Sequence, residues 1–294
     1  MSLLLAARSV NVVQTSARKQ LVMARNRQVF ALKLSAKWVP GPLIESARSI
    51  LGRLMGFPEF NAIYAELPVS RAVDFPRTLL DAMQVRVKFA GMPPDAIPAT
   101  GPLIVVANHS FGFIEGLALD ALLLARRQDV TFLAMYVFAA IPELRERWIF
   151  VDPNRSGRKR NLNREGVRRS FEWLARGGVL VVFPAGRVAR FSWRRMRTAE
   201  QPWNSRIAAV ARETQTKVLP VYFHGHNDWF FQVVGMLHPK LQDFLFVREF
   251  TNKRGRTLRA TIGPLIEPAE LMHFASDDDA SQFLRQETEK LSQL

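Results

Sequence analysis

One histidine in this chain is followed six positions later by a glutamate, just after an apolar stretch. The two residues are His109 and Glu115. An imidazole, whose ordinary pKa is about 6.5, can remove a proton from a hydroxyl group at neutral pH. A carboxylate on the other ring nitrogen fixes the tautomer and stabilises the imidazolium that forms. The pair therefore has the types and spacing of a general base and the residue that orients it.

The residues around this pair predict a strand followed by a helix. The run 103–107 is apolar and rich in β-branched residues, which is typical of a buried strand, and the stretch 115–127 repeats leucines at helical spacing. His109 and Glu115 would then flank a strand-to-helix turn. Such turns lie at the carboxyl edge of an open α/β sheet, where ligands bind.

Apolar runs and helical stretches alternate along much of the chain. The predicted strands are 85–89, 103–107, 130–133, 148–151, 179–183, 218–223 and 258–262. The predicted helices include 115–127, 164–176 and 207–213. This alternation predicts an α/β fold with a mixed, largely parallel central sheet flanked by helices.

The composition excludes several kinds of site. The chain has 294 residues, of which 48% are hydrophobic, and this suits one large core with an appended segment. It contains no cysteine, which excludes disulfides, thiolate metal sites and a cysteine nucleophile. Covalent catalysis would need another nucleophile.

The first part of the chain mixes basic and apolar residues. The formal net charge is +15, which favours an acidic partner or surface. Residues 1–44 contain no acidic residue, and their basic residues are Arg8, Arg18, Lys19, Arg25, Arg27, Lys33 and Lys37. Interleaving with apolar residues at helical spacing favours a helix lying on an anionic membrane surface. An organellar transit peptide and a solvated arm are the alternatives.

Two proline- and glycine-containing breaks divide the chain. The segments 40–42 and 56–58 would each end a helical region. We therefore predict basic amphipathic N-terminal helices over residues 1–58, forming a membrane-binding appendage, and a catalytic domain over residues 59–294.

The sequence has no obvious transmembrane span. No stretch reaches the ~18 to 20 uninterrupted apolar residues that cross a bilayer, and the uncharged run 130–142 fits a buried or re-entrant element. We predict a peripheral, monotopic protein on the cytoplasmic face of the inner membrane. Nucleic acid is not an expected partner, because the basic residues are dispersed among apolar ones and form no binding motif.

Three segments, in this order, resemble the glycerolipid acyltransferases of the lysophosphatidic acid acyltransferase type. The segments are Asn108-His109 with the following carboxylate, which corresponds to the family's first block, Phe183-Pro184-Ala185-Gly186, which corresponds to its third block, and Leu219-Pro220-Val221-Tyr222. Further segments resemble a bacterial branch often labelled as hemolysins, which is similar to the lyso-ornithine lipid O-acyltransferases. These segments are 109–112, 115–116, 223–227 and 248–255. The resemblance covers roughly residues 65 to 265.

This resemblance implies roles for residues of the first and third blocks. His109 would be the general base, and Glu115 would orient it. Asn108 would orient the turn, donate to the developing oxyanion or cap the following helix. The third-block residues that would contact the substrate are Phe183, Pro184 and Gly186.

Two arginines are predicted to bind the acceptor head group. Arg155 occupies the place of the family's second block, where an arginine often meets that group, and Arg187 directly follows Gly186. Guanidinium groups suit this role because they bind phosphate and carboxylate groups with two parallel hydrogen bonds. The alternative for Arg155 is a basic surface loop that continues to residue 160.

The chain departs from the family pattern in two places. Four residues usually separate the histidine from its acid, whereas here Ile114 fills the acid's place and Glu115 follows it. The third block commonly carries a glutamate where this chain has Ala185. That missing glutamate and the branch resemblance favour the hydroxyl of lyso-ornithine lipid or a related lyso-aminolipid as acceptor, over lysophosphatidic acid.

The resemblance implies an acyl thioester as cosubstrate and no other cofactor. The donor would be acyl carrier protein or coenzyme A, and the basic, aromatic stretch 190–197 would suit an interfacial loop or an acidic carrier protein. Since cysteine and a Gly-x-Ser-x-Gly elbow are both absent, direct transfer to the acceptor is expected. A non-enzymatic basic membrane-binding protein and a hydrolase are the alternatives.

Two polar clusters resemble metal sites but have simpler interpretations. The segment 224–228 contains His224, His226 and Asp228, yet a polar turn after a strand explains it. The three aspartates at 277–279 follow Ser276, which is typical of a capped helix start with negative charge near the positive end of the helix dipole. We therefore predict no metal site.

Overall fold

The computed structural model describes residues 29–31, 41–68, 71–152, 160–192, 196–237, 242 and 245–294. Most of the predicted basic segment 1–44 lies outside these residues. Arg155 also lies outside them, as do the positions 193–195 of the predicted interfacial loop.

Seven strands of the described residues form the central sheet. They are β1 (Arg86–Gly91), β2 (Leu103–Ala107), β3 (Val130–Met135), β4 (Ile149–Val151), β5 (Val179–Val182), β8 (Lys217–His224) and β9 (Thr257–Ile262). Their spatial order is β1-β9-β8-β2-β5-β3-β4. Neighbouring strands are parallel except for β8 and β9. The predicted mixed, largely parallel sheet is confirmed.

Two short strands form a separate antiparallel hairpin, β6 (Arg190–Ser192) and β7 (Arg197–Ala199). The helices are α1 (Gly41–Leu54), α2 (Phe57–Glu66), α3 (Phe75–Ala82), α4 (Phe113–Leu124), α5 (Pro142–Arg145), α6 (Arg160–Ala175), α7 (Arg206–Glu213), α8 (Trp229–Leu237), α9 (Phe246–Thr251), α10 (Pro268–Met272) and α11 (Asp277–Lys290). The hairpin and α8 were not anticipated from the sequence pattern.

Strand β2 lies in the middle of the sheet and is buried on both faces. Its residues Leu103, Val105 and Ala107 belong to the larger core cluster, which α2, α3, α4 and α9 cover. Ile104 and Val106 belong to the smaller cluster under α6, α7 and α11. This alternation follows the two-residue repeat of a strand, and burial on both faces explains its continuous apolar run. His109 therefore follows the most enclosed strand of the sheet.

Helix α1 leaves an apolar stripe uncovered. Leu43 and Ile50 are each 61% exposed and Leu54 is 53% exposed. Helix α2, in contrast, contributes Phe60 and Tyr64 to the larger core cluster. The predicted boundary after residue 58 falls within α2 and stays a prediction.

In the part of the chain that the structure describes, no helix is long and apolar enough to cross a bilayer.

The interpretation of the aspartate cluster as a helix start is confirmed. The hydroxyl of Ser276 accepts a hydrogen bond from the backbone N–H of Asp279 at 3.1 Å, where α11 begins. Strand β8 ends at His224 and an irregular turn follows it, as predicted for the segment 224–228.

An ion pair ties α4 to the loop before β4. The carboxylate of Asp120 is fully buried and accepts hydrogen bonds from both terminal nitrogens of Arg147, at 2.9 and 2.5 Å, and from Trp148 Nε1 at 3.2 Å. Burial raises the pKa of Asp120, and the hydrogen bonds from Arg147 oppose that rise. Three donors thus compensate the desolvation of one carboxylate.

Asp120→Ala is expected to lower the free energy of unfolding by about 3 to 5 kcal/mol, because Arg147 would stay buried without its partner. Urea unfolding followed by circular dichroism measures this loss. Glu172→Gln, which removes an exposed ion pair with Arg168, should change stability far less. Equal effects of the two variants would contradict the assigned importance of the buried pair.

Candidate active site

The structure brings His109 and Glu115 into direct contact at the carboxyl end of β2. The Nδ1 atom of His109 lies 2.8 Å from Oε2 of Glu115. The glutamate side chain is completely buried, whereas that of the histidine is 18% exposed. The predicted strand-to-helix turn is confirmed, with α4 beginning at Phe113 rather than at Glu115.

The Glu115 carboxylate also closes the turn that carries His109. Its Oε1 atom accepts hydrogen bonds from the backbone N–H groups of Ser110 at 2.7 Å and Phe111 at 2.9 Å. Its Oε2 atom accepts one from the N–H of Gly112 at 3.1 Å. Gly112 has a φ of 97°, a region that favours glycine. The carboxylate therefore reaches back from the first turn of α4 and holds three peptide groups as well as the imidazole.

This arrangement determines which ring nitrogen of His109 is available. A carboxylate only accepts hydrogen bonds, so the histidine must donate from Nδ1. In the neutral ring, Nε2 then keeps a lone pair that can take a proton. The longer spacing between the histidine and its acid is accommodated because the glutamate side chain folds back along the turn.

Asn108 holds the turn against the neighbouring strand β8. Its Oδ1 accepts from the backbone N–H of Phe223 at 2.6 Å, and its Nδ2 donates to the carbonyl of Phe223 at 2.9 Å. Nδ2 also donates to Ser110 Oγ at 3.0 Å. Both amide hydrogens thus have acceptors within the protein, and the residue that precedes α4 is Gly112 rather than Asn108. Of the roles considered for Asn108, the geometry matches orientation of the turn.

A second carboxylate, which the sequence motifs did not reveal, holds the backbone of the histidine. The N–H of His109 donates to Oε1 of Glu200, and Trp203 Nε1 donates to Oε2 of Glu200 at 2.8 Å. Burial raises the pKa of Glu200, and the hydrogen bonds from Trp203 and His109 oppose that rise. The sequence did contain one signal that could have singled out Glu200, because it is the single acidic residue in the otherwise basic stretch between Arg187 and Arg206.

The third-block residues form a loop beside the imidazole. The ring of Phe183 stacks on that of His109, with 4.4 Å between their centroids and 25° between their planes. Gly186 has a φ of 67° and donates its N–H to the carbonyl of Phe183 at 2.9 Å, which makes a tight turn. Phe183, Pro184, Gly186 and Arg187 line the same cavity as His109. The structure thus places these four predicted residues beside the predicted base.

The cavity has a volume of about 530 Å³ and opens where two strands separate. Strand β3 pairs with β5 from Val130 to Phe132 and then continues beside β4 alone. The cavity is lined on one face of the sheet by residues of the larger core cluster, such as Trp148, and on the other by residues of the smaller cluster, such as Leu180 and Val210. It therefore passes between β3 and β5, from one core to the other.

The histidines of the segment 224–228 have separate local partners. His224 Nε2 lies 2.8 Å from Thr261 Oγ1, and burial lowers the pKa of His224. His226 Nδ1 lies 2.9 Å from the carbonyl oxygen of Asn227. Within the described ranges, no three histidine, aspartate or glutamate side chains are grouped so that they could hold a metal ion.

Known proteins resemble this chain over most of its length. A family model described as Acyltransferase matches residues 73–293. The lyso-glycine lipid O-acyltransferase of Phocaeicola vulgatus is 22% identical over 249 residues, which are 78% of this chain and 85% of that protein. The crystal structure of the 1-acyl-sn-glycerophosphate (LPA) acyltransferase PlsC from Thermotoga maritima matches with a TM-score of 0.47 and 19% identity, over 76% of this chain and 78% of that chain.

Glu115→Gln is expected to reverse the tautomer of His109. The N–H groups of Ser110 and Phe111 would retain the amide oxygen. The amide nitrogen would then face Nδ1 and donate to it, with loss of the hydrogen bond from the N–H of Gly112. The hydrogen of the neutral ring should then move to Nε2. Ring ¹⁵N chemical shifts of histidine-labelled protein distinguish the two tautomers.

The exposed Glu213→Gln serves as the matched control and should leave the His109 ring signals unchanged. His109→Ala assigns those signals by their disappearance. A wild-type ring that already carries its hydrogen on Nε2 would contradict the pairing with Glu115.

Proposed function

We propose that this chain, which belongs to the acyltransferase family, moves a fatty acyl chain from a thioester to the hydroxyl of a lysolipid. His109 would be the general base. The observation that supports this most directly is the contact of His109 with the buried Glu115 at an apolar cavity. A base held in one tautomer beside a site for an acyl chain is what such a transfer needs.

The reaction requires one proton to be moved twice. Nε2 of His109 takes the proton of the acceptor hydroxyl as its oxygen attacks the thioester carbonyl. The tetrahedral intermediate then collapses, the carbon–sulfur bond breaks, and the departing sulfur takes the proton from the imidazolium. Glu115 stabilises the imidazolium between these two steps. Asn108 acts here as a positioning residue, since its amide is engaged by Phe223 and Ser110.

The cavity between β3 and β5 would hold the acyl chain. Its walls include the aromatic side chains of Phe132, Phe138 and Trp148, and it adjoins the imidazole through Phe183. An apolar site of a few hundred Å³ with few polar groups is suited to a lipid tail. The thioester carbonyl would then lie at the end of the cavity that His109 borders.

The acceptor we propose is a lyso-aminolipid, with lyso-ornithine lipid as the first candidate. The branch resemblance favours this class, and the relative from Phocaeicola vulgatus bears the name of an enzyme for lyso-glycine lipid. Such lipids present a carboxylate, which a guanidinium group can bind in a bidentate manner. We assign that contact to Arg187, which lines the cavity, and to Arg155. The donor would be acyl carrier protein or coenzyme A.

We also propose that the protein binds anionic membranes as a peripheral protein, on the cytoplasmic face of the inner membrane. The apolar stripe of α1 supports the contact with a membrane, because Leu43, Ile50 and Leu54 are more than half exposed. Arg53 lies in the last turn of the same helix, and Arg48 pairs there with Glu45. A helix with exposed apolar residues and basic neighbours is suited to the boundary between head groups and acyl chains.

His109→Ala should lower the turnover number by about 10²- to 10⁴-fold, the usual contribution of a general base. The assay supplies purified protein with an acyl thioester and, in separate reactions, lyso-ornithine lipid, lyso-glycine lipid and lysophosphatidic acid. Mass spectrometry of the acylated product identifies the acceptor. The exposed His273→Ala is the control and should keep full activity. Equal product from wild type and His109→Ala would refute the assigned base.

The triple variant Leu43→Ser, Ile50→Ser and Leu54→Ser should weaken binding to anionic vesicles by at least about tenfold, because it removes apolar surface that the lipid would bury. Vesicle sedimentation measures the loss. Its turnover of dispersed lysolipid should stay unchanged, since these side chains lie outside the core. Met272→Ser, at another exposed apolar residue, is the control. Undiminished vesicle binding of the triple variant would contradict a role for α1.

A further inference from the structure

We propose that Glu200 is a positioning residue for His109: its carboxylate fixes the backbone of the base and places a second negative charge beside it. This inference rests on the proposed function, in which His109 becomes an imidazolium during transfer. None of the sequence blocks described above includes Glu200.

The peptide groups of His109 are held on both sides by one segment of chain. Its N–H donates to the Glu200 carboxylate, and its C=O accepts a hydrogen bond from the N–H of Ala189 at 2.6 Å. Ala189 directly precedes β6 and Glu200 directly follows β7, and the last pair of the hairpin is Arg190 with Ala199. The residues at the open end of the hairpin, Ala189 and Glu200, therefore both bind the backbone of His109.

The contacts of Glu200 specify a carboxylate rather than an amide. Two N–H donors converge on it, one on each oxygen: the backbone of His109 and the indole of Trp203. A carboxamide has a single oxygen, so one of these donors would face its NH₂ group. Trp203 in turn packs against the smaller core cluster. The core of the protein thus holds Glu200, and Glu200 holds the backbone of the base.

Two carboxylates consequently serve the same histidine in different ways. Glu115 binds the ring at Nδ1, and Glu200 binds the backbone N–H of the same residue. A fixed negative charge close to a developing positive charge lowers the free energy of the transition state without reorganisation. Glu115 fixes the tautomer, whereas Glu200 fixes the position of the residue and adds charge.

The test compares Glu200→Gln with the double variant Glu200→Gln/Trp203→Phe, both in the full chain. The single variant leaves two N–H donors for one oxygen. The double variant removes the indole donor, so the amide oxygen can still accept from His109 and the backbone contact is kept without the charge. Exposed Glu213→Gln is the matched control. The readouts are the turnover number, the KM for the lysolipid and the amide signal of His109 in ¹⁵N-histidine-labelled protein.

We expect Glu200→Gln to shift the His109 amide signal and to lower turnover by about 10- to 100-fold with little change in KM. The double variant should recover stability but keep most of the loss in turnover, which a purely structural role would not produce. Wild-type turnover in Glu200→Gln would overturn the proposal, and wild-type turnover in the double variant would refute the part assigned to the charge. If wild-type protein acylates no lysolipid, the proposed function fails. Independently of activity, an unchanged His109 amide signal in Glu200→Gln would contradict the hydrogen bond between the His109 N–H and Glu200.

Discussion

The structure of the site depends on the cost of burying one carboxylate. Glu115 is completely enclosed, and a buried charge is tolerated only where donors replace its water. Three consecutive peptide N–H groups and the imidazole supply them. The turn can offer these groups together because Gly112 adopts a conformation that favours glycine. The hydrogen bonds that the buried Glu115 carboxylate requires therefore also fix the orientation of the His109 ring.

The rest of the site holds this turn from three directions. Asn108 joins it to β8, Ala189 and Glu200 hold the peptide groups of His109, and Phe183 stacks on the imidazole. Asn108 and Phe183 lie at the sheet edge where β2, β5 and β8 end side by side, whereas Ala189 and Glu200 flank the separate hairpin of β6 and β7. A parallel sheet brings such residues together from distant positions in the sequence.

Local sequence patterns were sufficient for the sheet and for the pair at its edge. The strands are short apolar runs, and His109 and Glu115 lie within one turn, so spacing alone could relate them. The contacts of Asn108 with Phe223 and of His109 with Glu200 span 115 and 91 residues, and no local period encodes them. The hairpin of β6 and β7 was missed for a related reason, since three-residue strands carry too little pattern. Arg155 stays a prediction.

The separation of β3 from β5 leaves β3 and β4 joined to the rest of the sheet by few strand pairs. Only the pairs from Val130 to Phe132 join β3, and β4 beyond it, to the remainder of the sheet. An apolar chain lying in the cavity between β3 and β5 would contact residues of both core clusters at once. Anything that binds the folded state in this way also stabilises it. A ligand bound there would therefore be expected to make this edge of the sheet more resistant to local unfolding.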